Sequence, residues 1–323
     1  MKNIFRLLAV LALAAAGTAF AQNWPNKPIH AIIPWPPGQA TDLAMRMVAE
    51  KLAPVLGQPL VMENKPGAGG TIGTDQVTKM APDGYTLLAA SSGPMSIAPN
   101  VEKLHYDPRK DFAPISLFAT NPFVMVVSPK LPVNNLKEFI ALLKTNPDKY
   151  SFSSSGSGAT AHLMVALFNS MAGIKAVHVP YKGSTQAVTD VVNGQVAYTV
   201  ETVPGVLSFV NSGRLKALAI SSARRSSAMP ALAPIAEAGG LPGYDMFGWI
   251  GLMAPAGLPR DIAARLSVEV QKIMQAPDIR EHYIALGLEP APLGSTPEEF
   301  AEFVRKQYER YDTAVRQAKI KLD

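Results

Sequence analysis

The sequence predicts an α/β protein of two lobes, with mixed sheets covered by helices. Three observations lead there. Strand-like and helix-like segments alternate along the chain, the rhythm of sheets flanked by helices. A strand, a Gly/Ser/Thr loop and a helix follow one another in both halves. Two long apolar segments, 113–129 and 244–255, read as crossings between the halves.

The chain opens with Lys2 and Arg6, an apolar run from Leu7 to Phe20, and Ala19-Phe20-Ala21 before Gln22. That is the pattern of a secretory signal peptide over residues 1–21. The run is shorter than the roughly 20 apolar residues a membrane span needs. The mature chain would begin near Gln22, leaving about 300 residues, enough for two lobes. Cysteine is absent, which excludes disulfides, thiol chemistry, cysteine-bound zinc and a lipid-anchored cysteine. The expected location is the periplasm, without an anchor. The net charge of +5 is scattered, so nothing points to nucleic acid.

"IHAIIPW" (29–35) reads as a buried strand. "TDLAMRMVAEKLAPVLG" reads as an amphipathic helix with Leu43, Met47, Val48 and Leu52 inward. "LVMEN" is strand-like, "GTIGTDQVTKM" helical, and "YTLLAAS" a strand after the turn at 82–84. The middle repeats the theme: strand "YSFSSS", loop "GSGAT", helix "AHLMVALFNSMAG", strand "AVHVPY", helix "STQAVTDVVNG", strands "QVAYTV" and "LKALAIS". The crossing 113–129 looks interrupted at Asn121-Pro122. Two helices follow, Arg260 to Gln275 and one opened by Thr296-Pro297-Glu298-Glu299, which has capping-box spacing. The last carries Phe300, Phe303, Val304 and Tyr311 inward and is expected to pack on one lobe.

The candidate chemistry lies in loops. Pro36-Pro37-Gly38-Gln39-Ala40-Thr41-Asp42 leads from a strand's carboxyl end into a helix, where open α/β sheets bind ligands. Free N–H groups and the helix dipole favour an anion there. Thr41 could cap its helix or donate to a ligand, and Asp42 suits the dipole. The second loop, Ser153-Ser154-Ser155-Gly156-Ser157-Gly158-Ala159-Thr160, has the same position and many hydroxyls. Ser91 and Ser92 close another strand. His162 lies one turn beyond the second loop, where it could reach the cleft or serve packing.

Other chemistries lack their patterns. Glycines at 67, 69, 70 and 73 do not spell G-x-G-x-x-G, and "KGST" at 182–185 is not a Walker A loop. G-x-S-x-G is absent. His30, His105, His178 and His282 show no metal spacing. No cofactor or metal is expected.

With these segments in view, the chain resembles the Bug-type solute-binding receptors of tripartite tricarboxylate transporters. The likeness runs from about Trp24 to the C-terminus. It is carried by "PWPPGQATD", "ENKPGAGGTIGTD", "APDGYTLL", "YDPRKDFAPISL", "SSSGSGATAHL", "HVPYKGSTQAVTD", "NGQVA", "LKALAISSARRS" and "GWIGLMAPAGLP". It implies a two-lobed periplasmic binding protein, type II-like with two crossing strands. Lobe 1 would be 22–120 and 248–323, and lobe 2 would be 121–247. A small organic carboxylate would be captured by lobe closure and passed to the large and small subunits of a membrane transporter.

The resemblance places Gly38, Ala40, Thr41 and Asp42 in the first lobe's site with Ser92 nearby. Ser154, Ser155, Thr160 and His162 would face them, with Tyr181 and Glu201 at further strand ends. Trp35, Pro37, Gln39, Ser91, Gly158 and Ala159 complete the candidate ligand-binding set. Three positions depart from the family pattern: Gln39 stands for a glycine, Ala161 for a serine and Glu201 for an aspartate. Trp35 stands for a common phenylalanine, and its flat face would suit a larger acid. The receptor is expected to be monomeric and not an enzyme. The alternatives are a receptor feeding a membrane sensor kinase, and a secreted serine hydrolase using Ser157 and His162.

Overall fold

The computed structural model describes residues 24–291 and 295–318. The signal peptide expected over 1–21 lies outside them. Ten strands form a mixed sheet in two parts. The strands are β1 (Ile29–Ile33), β2 (Leu60–Asn64), β3 (Thr86–Ser91), β4 (Phe112–Val127), β5 (Ser151–Ser154), β6 (Val177–Pro180), β7 (Tyr198–Thr202), β8 (Lys216–Ile220), β9 (Phe247–Pro255) and β10 (Glu289–Pro290). The main helices are α1 (Ala40–Leu56), α2 (Thr71–Thr78), α3 (Leu136–Thr145), α4 (Thr160–Ala172), α5 (Ser184–Asn193), α6 (Val203–Asn211), α7 (Arg260–Gln275), α8 (Pro277–Ala285) and α9 (Pro297–Ala318).

The first part runs β2-β1-β3-β9-β4 and the second β4-β7-β5-β6, with β8 and β10 also on β4. Strands joined through helices pair in parallel, as β1 does with β2 and β3, and β5 with β6 and β7. Those pairs need crossover helices, which the alternating sequence supplies. β9 and β4 pair antiparallel. The fold is that of a two-lobed periplasmic binding protein.

β4 is the physical link. Phe112 to Pro122 pair with β9, and from Phe123 onward the partners are β7 and β8. The interruption expected at Asn121-Pro122 does not break the strand. Pro122 falls where the partners change, so its missing N–H is not demanded by a continuous ladder. The next N–H, that of Phe123, donates to Ser221 Oγ at 2.9 Å. The return path is 244–247, tied to the second part where Met246 N–H donates to the Ser221 carbonyl.

Apolar side chains cover both faces. In α1 the buried stripe is Ala44, Met45, Val48, Ala49, Leu52 and Leu56. Leu43 and Met47, expected inward, sit at its half-buried margin, because small alanines let the helix seat one residue over. The last helix does not stay on one lobe as expected. Phe300 meets Trp249 edge-on in the first part. At its far end the Gln317 carbonyl accepts the Ser170 hydroxyl of α4. The capping box at its start is made: Glu299 N–H donates to Thr296 Oγ1 and Thr296 N–H to the Glu299 carboxylate.

Candidate functional site

A narrow cavity of about 40 Å³ lies between the two parts of the sheet. Trp35, Gln39, Ala40 and Thr41 line it from the first loop, with Ser91 at the end of β3 and Ser92 just after it. Ser155, Thr160 and Ala161 face them from the second loop. Asn121, Phe123 and Trp249 come from the shared strand and its neighbour, and Ser184, Glu201 and Thr202 from the ends of α5 and β7.

The two loops are built alike. Gly38 has φ +81° and Gly158 φ +75°, left-handed values that favour glycine. The next residues, Gln39 and Ala159, are extended, and the helices begin one residue later. Four residues beyond each glycine a side chain turns back. Gly38 N–H donates to Asp42 Oδ2 at 2.8 Å, and Gly158 N–H donates to His162 Nδ1 at 3.2 Å. Neither glycine N–H is therefore left for a ligand. The first-turn N–H groups of α1 and α4 have no carbonyl within their own helices to bond. Ala40, Thr41, Thr160 and Ala161 bring those helix ends to one cavity.

Asp42 is 2% exposed. Its Oδ1 accepts Arg46 Nε and Asn64 Nδ2, each at 2.9 Å. Burial pushes this carboxyl up, but the bonds from Arg46, Asn64 and Gly38 outweigh it and hold it below the usual range. His162 stacks on His178, with ring centroids 4.0 Å apart and planes 5° apart. Burial pushes His162 down to about 4. His178 is pushed down to about 3, by burial first and then by His162. With Nδ1 accepting Gly158 N–H, His162 carries its proton on Nε2.

The structure thus brings Trp35, Gln39, Ala40, Thr41, Ser91, Ser92, Ser155, Thr160 and Glu201 of the expected set to the cavity. It does not bring the others there. Pro37 and Gly38 line an adjoining groove on the α5–α6 side. Asp42 faces Arg46 and Asn64. His162 lies with His178 in a separate surface hollow. Ser154 Oγ is 2.7 Å from His178 Nε2, Tyr181 donates to Asp190 at 2.5 Å, and Gly158 and Ala159 only shape the loop. Ser157 is exposed whereas His162 is buried with Nδ1 occupied. Those two residues make no nucleophile–base pair.

Asn121, Phe123, Ser184, Thr202 and Trp249 were not among the sequence candidates. One signal existed for Asn121, a lone amide in an apolar run. Ser184 follows a glycine at a helix start, the same cue that marked the first two loops.

One acid, Glu201, and no cation line the cavity among the described residues, so what favours an anion there is the helix ends. Among the described residues lining the cavity there is no Lys, Arg or His. Helix N-termini supply the partial positive charge instead. Three buried atoms of these lining residues have no hydrogen-bond partner among the described residues: Gln39 Nε2, Asn121 Oδ1 and Trp249 Nε1. Such atoms are costly unless something meets them. Across the cavity Ser92 Oγ and Thr160 Oγ1 meet at 3.0 Å, a buried bond between the two parts. Tyr311 of α9 bonds the Phe247 carbonyl and reaches Ser92.

Comparison with known proteins agrees with this architecture. A family model described as the tripartite tricarboxylate transporter family receptor matches residues 44–320. Protein BugT of Bordetella pertussis is 38% identical over 99% of this chain and 99% of its own. A protein of R. palustris solved with adipate is 30% identical, with a TM-score of 0.88 over 93% of this chain and 99% of that one. MatC from Rhodopseudomonas palustris, solved with bound malate, is 30% identical, with a TM-score of 0.84 over 90% of this chain and 100% of that one. By extent and identity, this chain belongs to the receptors of the tripartite tricarboxylate transporter family.

Proposed function

We propose that the protein is a periplasmic receptor that captures a small carboxylate between its lobes and delivers it to a tripartite membrane transporter. The observation that carries this reading is the convergence of two helix N-termini, those of α1 and α4, on one cavity lined without a cation. The relatives solved with adipate and malate support the ligand class. Export by residues 1–21 without a lipid anchor, and lobes divided near 121 and 247, belong to the same reading. The change of partners along β4 favours that division.

Function here is a population shift. A carboxylate touching both loops binds the closed form better than the open one. It moves the equilibrium only by that difference. No reaction is required, and the transporter reads the closed shape.

A melting screen of the exported protein against mono- and dicarboxylates tests this, because a ligand of the native state raises stability by mass action. At 100 times Kd the gain is about 2.7 kcal/mol. Melting unmoved by every carboxylate at millimolar concentration would refute the reading.

A further inference from the structure

Glu201 is the charged side chain among the described residues lining the cavity, and it is 4% exposed. Its carboxylate is already seated on two helix ends. Thr202, the residue before α6, donates its N–H at 2.8 Å and its hydroxyl at 3.0 Å to Glu201 Oε1. Ser184, the first residue of α5, lines the cavity with it, and its hydroxyl favours the charged form of this carboxyl. Gly205 of α6 leaves room for this side chain: a Cβ there would lie 2.9 Å from Glu201 Cγ. Burial pushes the carboxyl up, and the Ser184 and Thr202 donors oppose it without cancelling it, so the net direction is upward.

Four helix N-termini therefore surround the cavity, in two pairs. The α5–α6 pair holds the protein's own carboxylate. At the α1–α4 pair no carboxylate of the described residues lines the cavity, since Asp42 is taken up by Gly38, Arg46 and Asn64. Beside that open pair lies the unpartnered Gln39 Nε2. A second ligand carboxylate at Glu201 would find the Thr202 donors already taken by Glu201 and no cation among the described residues lining the site, a costly arrangement in a desolvated place. A hydroxyl, amide or ammonium there would donate to Glu201 instead.

We propose that Glu201 sets the ligand class: a monocarboxylate with its carboxylate at α1 and α4 and a hydrogen-bond donor at its other end, on Glu201. This rests on the carboxylate-receptor reading above and narrows it. Gln39, Ser184, Glu201 and Thr202 also line the adjoining groove. The donor end would thus lie at a neck between cavity and groove, and a longer ligand would extend outward past Glu201.

The test is calorimetric titration of the exported protein at pH 7.5 with matched pairs: 4-hydroxybutanoate and succinate, 5-hydroxypentanoate and glutarate, 6-hydroxyhexanoate and adipate. In the best-binding pair the hydroxy acid should bind at least about tenfold more tightly than the diacid. Glu201→Gln should lower that ratio about tenfold, mainly by gain of diacid affinity. Gly205→Ala, which crowds Glu201 without touching the α1–α4 ends, should weaken the hydroxy acid more than it weakens acetate. Melting curves confirm that each variant is folded. Diacids equal to or tighter than hydroxy acids in the unaltered protein, or a ratio unmoved by Glu201→Gln, would overturn the assignment of Glu201 and leave the receptor reading intact. Failure of every acid, mono or di, to bind the unaltered protein would overturn both.

Discussion

The two loops facing each other across the cavity share a backbone and differ in chemistry. Each has a left-handed glycine, an extended residue, a helix start and a side chain that returns to the glycine N–H. In the first loop that side chain is a buried carboxylate held by Arg46 and Asn64. In the second it is a neutral imidazole stacked on another. The hydroxyls are exchanged as well. Thr160 uses its hydroxyl on Ser92 across the cavity, whereas Thr41 lines the cavity. The common backbone exposes a helix end, and the differing side chains divide the labour. One loop is fixed by charge and presents a hydroxyl to the cavity. The other is fixed by apolar stacking and bonds the opposite half.

Asp42→Ala tests the first loop most severely. It takes the acceptor from the Gly38 N–H and one of the acceptors from Arg46 and from Asn64, at a cost of about 3 kcal/mol. The melting temperature should fall by several degrees and carboxylate affinity should fall with it. Melting within about one degree of the unaltered protein would mean that the loop does not depend on Asp42.

Thr41→Ala should spare the melting temperature of the unliganded protein and weaken binding. One hydrogen bond to a charged group is worth roughly 1.5–3 kcal/mol, or roughly ten- to hundredfold in affinity. Titration with the carboxylate that gives the largest melting shift measures it. Unchanged affinity would remove Thr41 from the ligand contacts. Capping is not its role in any case, since Gln39 occupies the N-cap.

Acid separates the loops. His162 titrates near 4 when folded and at 6.5 when unfolded. The unfolded chain takes up the proton first, so stability is complete above 6.5 and falls as pH drops toward 4. Between pH 6.5 and 5.5 the loss is up to about 1.4 kcal/mol. His178 adds to the same slope. Asp42, held below 3.8, keeps its contribution through this window and loses it only as pH falls through its lower folded value. Melting curves at pH 7.5, 6.5 and 5.5 should slope downward. His162→Gln should flatten the slope, and a slope indifferent to that change would exclude the histidine.

The smallest effect belongs to the bond between the halves. Thr160→Val removes the contact with Ser92, worth about 1 kcal/mol, and should weaken carboxylate binding about fivefold through the closed form. Equal affinity would mean that closure does not use this bond.

Much of this was legible in the sequence. Long segments with one clear period, such as 40–56, 260–275 and 297–318, are readable because an apolar stripe contrasts with charge. The helix Val203–Asn211 offers little such contrast: it is apolar nearly all round and carries Pro204. The first-loop residues could be found because strand ends and helix starts mark them. The inward turn of Asp42 and the outward position of His162 could not, since they depend on Arg46, Asn64 and His178 meeting them in space. Asn121, Phe123 and Trp249 were hidden for another reason. They lie in strands whose apolar runs read as core, and only the curl of the sheet opens them to a cavity.

Those strand residues have an optical consequence. Of the chain's three tryptophans, Trp35 and Trp249 line the cavity. Trp35 is anchored by its indole N–H on Ser91 Oγ at 2.8 Å, while the indole N–H of Trp249 has no partner among the described residues. A ligand that enters meets both rings, and Trp249 stands on a strand paired to β4 as β4 passes from one part of the sheet to the other. Emission from the unlabelled protein should therefore change on binding, and Trp35→Phe leaves Trp249 as the one tryptophan lining the cavity.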